Sequence, residues 1–415
     1  MAGLKKVILG SNQKSTKLLN RALVLKIICT GTNVSRIDIS RQTGLSKMSI
    51  TNIVGELQDE GLVVEQAGQP PAGKNGSKAS IGRRPVYLAP DTENHFALGL
   101  YISRDNAVAS LANLKCELIK EKRCSFDFEE SETSFTDKIK ALVHSTLDEV
   151  IASGRKIMGI GVASIGPLDI RHGIILEPPN FHKLKSIPIK RILEYEFGCP
   201  VYTDNDMNAA ALAEKLYGKA KDIGNFIYLG VTNGIGAGII ADNSLFAGEM
   251  GFSGEIGHTT INYEGPKCAC GNTGCLELYA SIPEIVSQAE NSISLGMESA
   301  LAKLVRIEWK DIVEYAKSGD KLSLNLIDRL CLYISIGLVN LINLFDPHII
   351  YLGHDIALAG SLVTEKLGAY LKDKALSSRY KNVPVEISAF GDRAPVAGSV
   401  AIALDKLFSG TADIS

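Results

Sequence analysis

No stretch of the 415-residue chain stays apolar for the length of a membrane span, and no N-terminal segment has the form of a secretion signal. Cysteine is scarce at 8 residues, and several of these cluster at metal-ligand spacing, so a reducing cytoplasm is expected. Net charge is low as well, −2, but that figure conceals a division. Residues 1–90 carry 13 Lys and Arg against 5 Asp and Glu, whereas the remainder carries 31 against 41. A basic head on an acidic body points to nucleic acid as a partner of the head. The rest of the composition is ordinary for a globular protein, 45% apolar and 22% charged, and the length calls for two or three domains.

The pattern of the head agrees with its charge. Leu18 to Thr30 carries a broad helical apolar stripe that ends at Gly31, and a second short helix fits Arg36–Thr43. Gly44-Leu45 then turns the chain, and Ser46 is a good N-cap for a third helix that runs to Glu60 and stops at Gly61. Ile50, Ile53, Val54 and Leu57 form its inward stripe. Lys47, Ser49, Thr51 and Asn52 lie off that stripe near the N-terminal end. Three helices with a glycine turn before the last are a helix-turn-helix arrangement, whose last helix reads the major groove. The expected DNA contacts are therefore Arg36, Ser46, Lys47, Ser49, Thr51 and Asn52. Strand-like Leu62–Glu65 and Pro85–Leu88 flank a polar span, which makes residues 66–85 a flexible wing or linker. Within it, Arg83 and Arg84 between Gly82 and Pro85 suit a narrow minor groove.

The densest chemistry lies at residues 254–277. His258, Cys268, Cys270 and Cys275 fall within eighteen positions, and thiolate with imidazole is a ligand set for tetrahedral zinc. Gly271 and Gly274 permit the tight turn that aims the cysteines at one centre. All four coordination places are filled, so the metal is expected to be structural. Glu255 and Glu277 bracket the cluster, and rigid carboxylates suit a polyhydroxyl ligand, accepting hydrogen bonds from its neighbouring hydroxyls. Gly-Glu-Ile-Gly-His from Gly254, followed by Cys-x-Cys-Gly-x-x-Gly-Cys-Leu-Glu from Cys268, closely resembles the signature of the ROK family (repressor, open reading frame, kinase). That family combines bacterial sugar kinases with sugar-responsive repressors.

From Phe96 onward strand-like and helix-like segments alternate, the sign of an α/β body. Asn205-Asp206 ends a strand at the start of an Ala-rich helix, the usual ligand crevice of an open α/β sheet. The resemblance makes this pair sugar-binding, with Asp206 the general base if the chain is a kinase. Asp204 is available to cap the helix, leaving Asn205 and Asp206 for ligand. Asn180, after two prolines, offers a donor and an acceptor to a sugar hydroxyl and equally suits a turn. The nucleotide side departs from the family. Where its kinases carry an Asp-x-Gly-Gly-Thr phosphate loop, this chain has Tyr101, Ser103, Arg104 and Asp105, and His354 replaces the second glycine of a later Gly-Gly. The glycine-rich hairpin Gly234–Gly238 resembles the kinases' second phosphate loop.

The resemblance implies an α/β body of the actin-like ATPase (ribonuclease H-like) type, two lobes behind an N-terminal winged helix-turn-helix. Expected boundaries are 1–90 for the head, 91–210 for the first lobe, and 211–415 for the second lobe with zinc loop and a helical dimerisation region. The expected function is a sugar-responsive regulator, a repressor, that binds palindromic operator DNA as a homodimer or dimer of dimers. Its effector would be a monosaccharide such as xylose or glucose, held by Asn180, Asn205, Asp206, Glu255, His258 and Glu277. The alternative is an ATP-dependent sugar kinase with a DNA-binding head.

Overall fold

A computed structural model describes residues 13–67, 86–127, 130–178, 181 and 184–410. The head comprises α1 (Gln13–Thr30), β1 (Val34–Ser35), α2 (Arg36–Thr43), α3 (Lys47–Asp59), β2 (Val63–Ala67) and β3 (Val86–Pro90). Ser35 and Asp38 form a capping box at the start of α2, and Gly44 closes that helix at a left-handed φ of 72°. Ser46 accepts from the Ser49 amide at 3.1 Å as the N-cap of α3. The strands order β1-β3-β2, antiparallel throughout. Strand β1, two residues long, carries too little pattern to be visible in the sequence.

The body holds two five-stranded sheets. The first uses β4 (His95–Ile102), β5 (Asn106–Asn113), β6 (Leu118–Ser125), β7 (Lys156–Ser164) and β10 (Val201–Asn205) in the order β10-β7-β4-β5-β6. Helix α4 (Glu132–Ala152), the short pair β8 (Leu168–Asp169) and β9 (Ile174–Ile175), and α5 (Ile189–Phe197) complete this part. After α6 (Asp206–Leu216), the second sheet orders β13-β12-β11-β14-β15. Its strands are β11 (Phe226–Val231), β12 (Ile235–Ala241), β13 (Ser244–Leu245), β14 (Ile349–Gly353) and β15 (Val385–Ile387). Both sheets repeat one plan: the first strand pairs antiparallel with its successor and parallel with a later strand.

Four helices precede β14: α7 (Glu277–Ala280), α8 (Ile282–Ser294), α9 (Trp309–Lys317) and α10 (Lys321–Phe345). A single helix over Leu278–Leu295 would follow from periodicity, but it breaks at Ser281, with Pro283 in the first turn of α8. By length and composition α10 alone among described helices is apolar enough for a membrane, yet 56% of its apolar window is buried in the second lobe's core. Beyond β14 come α11 (Ser361–Lys374) and α12 (Ala394–Phe408).

Helix α12 sets the architecture. It leaves the second lobe and lies on β4 and β7 of the first, so residues 394–408 belong to the lobe that the sequence boundary ended at 210. Glycine makes this approach possible. A Cβ on Gly161 would lie 2.0 Å from the Ser399 carbonyl oxygen, and one on Gly99 2.3 Å from the Ser399 hydroxyl. Helix α12 also meets the head. Val24, Leu25 and Ile28 of α1 share one buried cluster with Val400, Leu404 and Leu407 of α12. Head and body are thus joined through a common core.

Candidate functional site

The residues at metal spacing converge. His258 ends a single 3-10 turn, and the three cysteines sit on the hairpin that follows. One ligand atom from each of the four lies within 4.8 Å of all the others. The Cys270 and Cys275 sulfurs are 3.7 Å apart, and His258 Nδ1 is 3.8 Å from the Cys268 sulfur. Tetrahedral zinc with bonds of about 2.3 Å to sulfur separates its sulfurs by about 3.8 Å, so donor set and spacing both fit. Gly271 and Gly274 take left-handed φ values of 92° and 66°. A Cβ on Gly274 would lie 1.6 Å from the Asn262 carbonyl oxygen. Asn272 donates through Nδ2 to the His258 carbonyl at 3.0 Å and ties the hairpin to His258.

The same stretch brings Glu255, His258 and Glu277 to a cavity of about 130 Å³ between the lobes, where Asn205 and Asp206 join them. Five of the six expected sugar contacts therefore meet; the sixth, Asn180, lies outside the described residues. Glu277 Oε2 accepts from the Ile235 amide at 3.2 Å, and a Cβ on Gly234 would come within 2.7 Å of that oxygen. Gly166 passes close to Asn205 Nδ2 and Glu255 Oε1, with a notional Cβ 3.2 and 3.4 Å away. Burial, reinforced by the nearby charges of Asp206 and Glu277, pushes the Glu255 carboxyl up to about 7. Thr232, Asn233 and Ser253 also line the cavity and were not singled out by the sequence. Ser253 directly precedes the Gly254-Glu255 motif, which was the available signal.

One expectation fails here. The N-cap of α6 is Asn205, not Asp204: Asn205 Oδ1 accepts from the Met207 amide at 2.8 Å. Asp204 Oδ1 instead accepts from the Asn205 amide at 2.8 Å and from Asn208 Nδ2 at 2.9 Å. The Asn205 oxygen is therefore committed to the backbone, and Nδ2 remains for a ligand. Asp206 is 3% exposed, and its Oδ2 lies 3.8 Å from Nε2 of the equally buried His354.

On the head, Lys47, Thr51 and Asn52 are exposed along the outer face of α3, while Ser46 and Ser49 pair hydroxyl to hydroxyl at 2.9 Å. Met48 on the same turn is 70% exposed. Arg36 is occupied within the head, 2.8 Å from Glu65 and 3.2 Å from Gln58. Arg83 and Arg84 lie outside the described residues.

A sequence profile described as the ROK family matches residues 97–406. The chain belongs to the ROK family. It is 32% identical over 406 residues to the xylose repressor of Caldicellulosiruptor bescii, covering 96% of this chain and 98% of that one. A crystal structure of a ROK family transcriptional regulator, described as a homologue of the Escherichia coli Mlc protein, superposes with a TM-score of 0.82 at 29% identity, covering 95% and 97%. The ROK glucokinase of Streptomyces griseus, solved with glucose and AMPPNP, gives a TM-score of 0.64 at 25% identity. It covers 98% of the kinase but 74% of this chain, and the family profile begins only after the head. Of the residues on the first-lobe turn, Tyr101, Ser103 and Arg104 line the cavity, and exposed Asp105 does not. The Ser103 amide and the Asn106 carbonyl close this turn at 2.9 Å.

Proposed function

We propose that the chain is a sugar-responsive transcriptional repressor of the bacterial cytoplasm, with a monosaccharide such as xylose or glucose as effector. The observation that carries this reading is the path from cleft to head. Asp206 begins α6, α6 packs along α12, and α12 shares its core with α1. A ligand that draws the lobes together around Asp206 bears on the helix that seats the head.

Within the cleft, Asp206, Glu255 and Glu277 accept hydrogen bonds from sugar hydroxyls, and Asn205 donates through Nδ2. His258, Cys268, Cys270 and Cys275 would hold a structural zinc. With Nδ1 turned to the metal, the other ring nitrogen of His258 is free to donate to a hydroxyl. Zinc would thus supply rigidity, fixing the loop that carries Glu255 and His258.

Lys47 and Arg84 would contact DNA phosphates and the minor groove, and Thr51 and Asn52 base edges, with Met48 placed to meet a thymine methyl. A two-fold dimer presents two such heads to the half-sites of a palindrome. If sugar changes the affinity for DNA, linkage requires DNA to change the affinity for sugar by the same factor. The kinase alternative draws on Asp206 and the Gly234–Gly238 hairpin. Against it stands Arg104 with its neighbours, side chains where the kinases present glycine to phosphate.

Fluorescence anisotropy on the chain's own upstream DNA, titrated with D-glucose, D-xylose and other aldoses, tests this. One aldose is expected to shift DNA affinity by roughly 5- to 150-fold, the usual range of allosteric coupling, with ATP inert. No specific DNA binding, together with ATP consumption on adding sugar, would establish the kinase instead.

A further inference from the structure

His354, directly after β14, takes a left-handed φ of 62°. Histidine tolerates this region better than most residues, but holding it there still needs support from its surroundings. Two contacts fix the next residue: Trp309 Nε1 donates to the Asp355 carbonyl at 2.7 Å, and Thr232 donates to the Asp355 carboxylate at 2.5 Å. The ring, 3% exposed, has Nδ1 3.0 Å from the Tyr228 hydroxyl. Nε2 is buried without a hydrogen-bond partner and faces Asp206 Oδ2 at 3.8 Å.

The strands are built to admit this arrangement. Gly230 and Gly353 are register partners on β11 and β14. A Cβ on Gly230 would lie 2.7 Å from His354 Nδ1, and one on Gly353 1.8 Å from the Tyr228 hydroxyl. Both strands thus lack side chains at the one level where the phenol and the imidazole meet. An imidazole nitrogen buried beside a carboxylate, slightly too far to bond, is costly unless it gains that bond in another state.

We propose that His354 is a positioning residue for the ligand-binding carboxylate: Tyr228 donates to Nδ1, fixes the Nε2–H tautomer, and so aims the ring N–H at Asp206. Burial keeps the Tyr228 phenol protonated, as a donor must be. Asp206 follows β10 of the first sheet, and His354 follows β14 of the second, so the pair spans the lobe junction. A small approach of the lobes converts the 3.8 Å gap into a charge-assisted hydrogen bond. Sugar held on Asp206 and closure of the lobes then reinforce each other. The inference rests on the sugar reading of the cleft.

Two measurements test it separately from that reading. The first is the ring-nitrogen NMR spectrum of the sugar-free, histidine-labelled protein, with the His354 signals assigned as those absent from His354→Gly. The expected result is the Nε2–H tautomer, with an Nε2 signal that moves in Asp206→Asn and a tautomer preference that weakens in Tyr228→Phe. The Nδ1–H tautomer, or an Nε2 signal indifferent to Asp206→Asn, overturns the proposal whether or not any aldose binds. The second is calorimetric titration with D-xylose and D-glucose. His354→Gly, whose glycine suits the backbone, is expected to weaken binding roughly tenfold, and His354→Gln, which keeps a donor, to recover most of it. Wild-type affinity in His354→Gly overturns the proposal; a wild-type protein that binds no aldose overturns the sugar reading.

Discussion

The two lobes repeat one hairpin with opposite content. In the first, β4 turns into β5 through Ser103, Arg104 and Asp105; in the second, β11 turns into β12 through Thr232, Asn233 and Gly234. Both turns reach the same cavity. The second-lobe turn ends on Gly234, and the Ile235 amide beyond it holds Glu277. The first-lobe turn is closed by Ser103 and Asn106 and offers side chains instead. A single scaffold thus keeps Glu277 positioned on one side while side chains fill the other. Ligand chemistry resides in the loops that the repeat carries, not in the repeat itself.

Breaking the second-lobe side should have the largest effect. Cys270→Ser is expected to abolish stoichiometric zinc, read by elemental analysis, and to weaken sugar binding roughly 100-fold while leaving sugar-free DNA affinity within about threefold. Next, Gly234→Ala pushes a Cβ toward Glu277 Oε2 at 2.7 Å. Roughly tenfold weaker sugar binding by calorimetry is expected there, against less than about twofold for Ser103→Ala in the equivalent first-lobe turn.

The pH dependence comes from Glu255. Its folded value of about 7 lies above the ordinary 4.5, because burial and two neighbouring carboxylates favour the neutral form. Stability from this group is therefore full below 4.5 and is lost as pH rises through about 7. Thermal unfolding of the sugar-free protein should show a loss of up to roughly 3–4 kcal/mol across that window, absent in Glu255→Gln. Sugar affinity should move oppositely, weakening below that value as the carboxylate acceptor is protonated. The smallest expected effect is on the head: Lys47→Ala should reduce the salt slope of DNA binding by about one, and Arg36→Ala, already paired to Glu65, by much less.

How much of this was legible depended on whether the signal was local. Cys-x-Cys and its glycines predict the His/Cys3 cluster because eighteen consecutive residues contain all four members. Ser46 announces α3 for the same reason. Non-local features stayed hidden. Nothing near residue 394 tells that α12 crosses back to the first sheet, since the glycines that admit it, Gly99 and Gly161, lie hundreds of positions away. The cap of α6 was misassigned because Asp204, Asn205 and Asp206 are all competent caps, and only backbone geometry chooses between them. His354 was visible as a departure from glycine, but its partners Tyr228 and Asp206 are distant in sequence and adjacent only in the fold.

The claim that cleft and head are one linked system is tested most directly by reciprocity. Calorimetric titration of the effector aldose into the protein alone, and into the protein saturated with operator DNA, should give affinities that differ by the same factor by which the sugar shifts DNA affinity. An aldose that binds equally well with and without DNA would contradict the path through α6, α12 and α1.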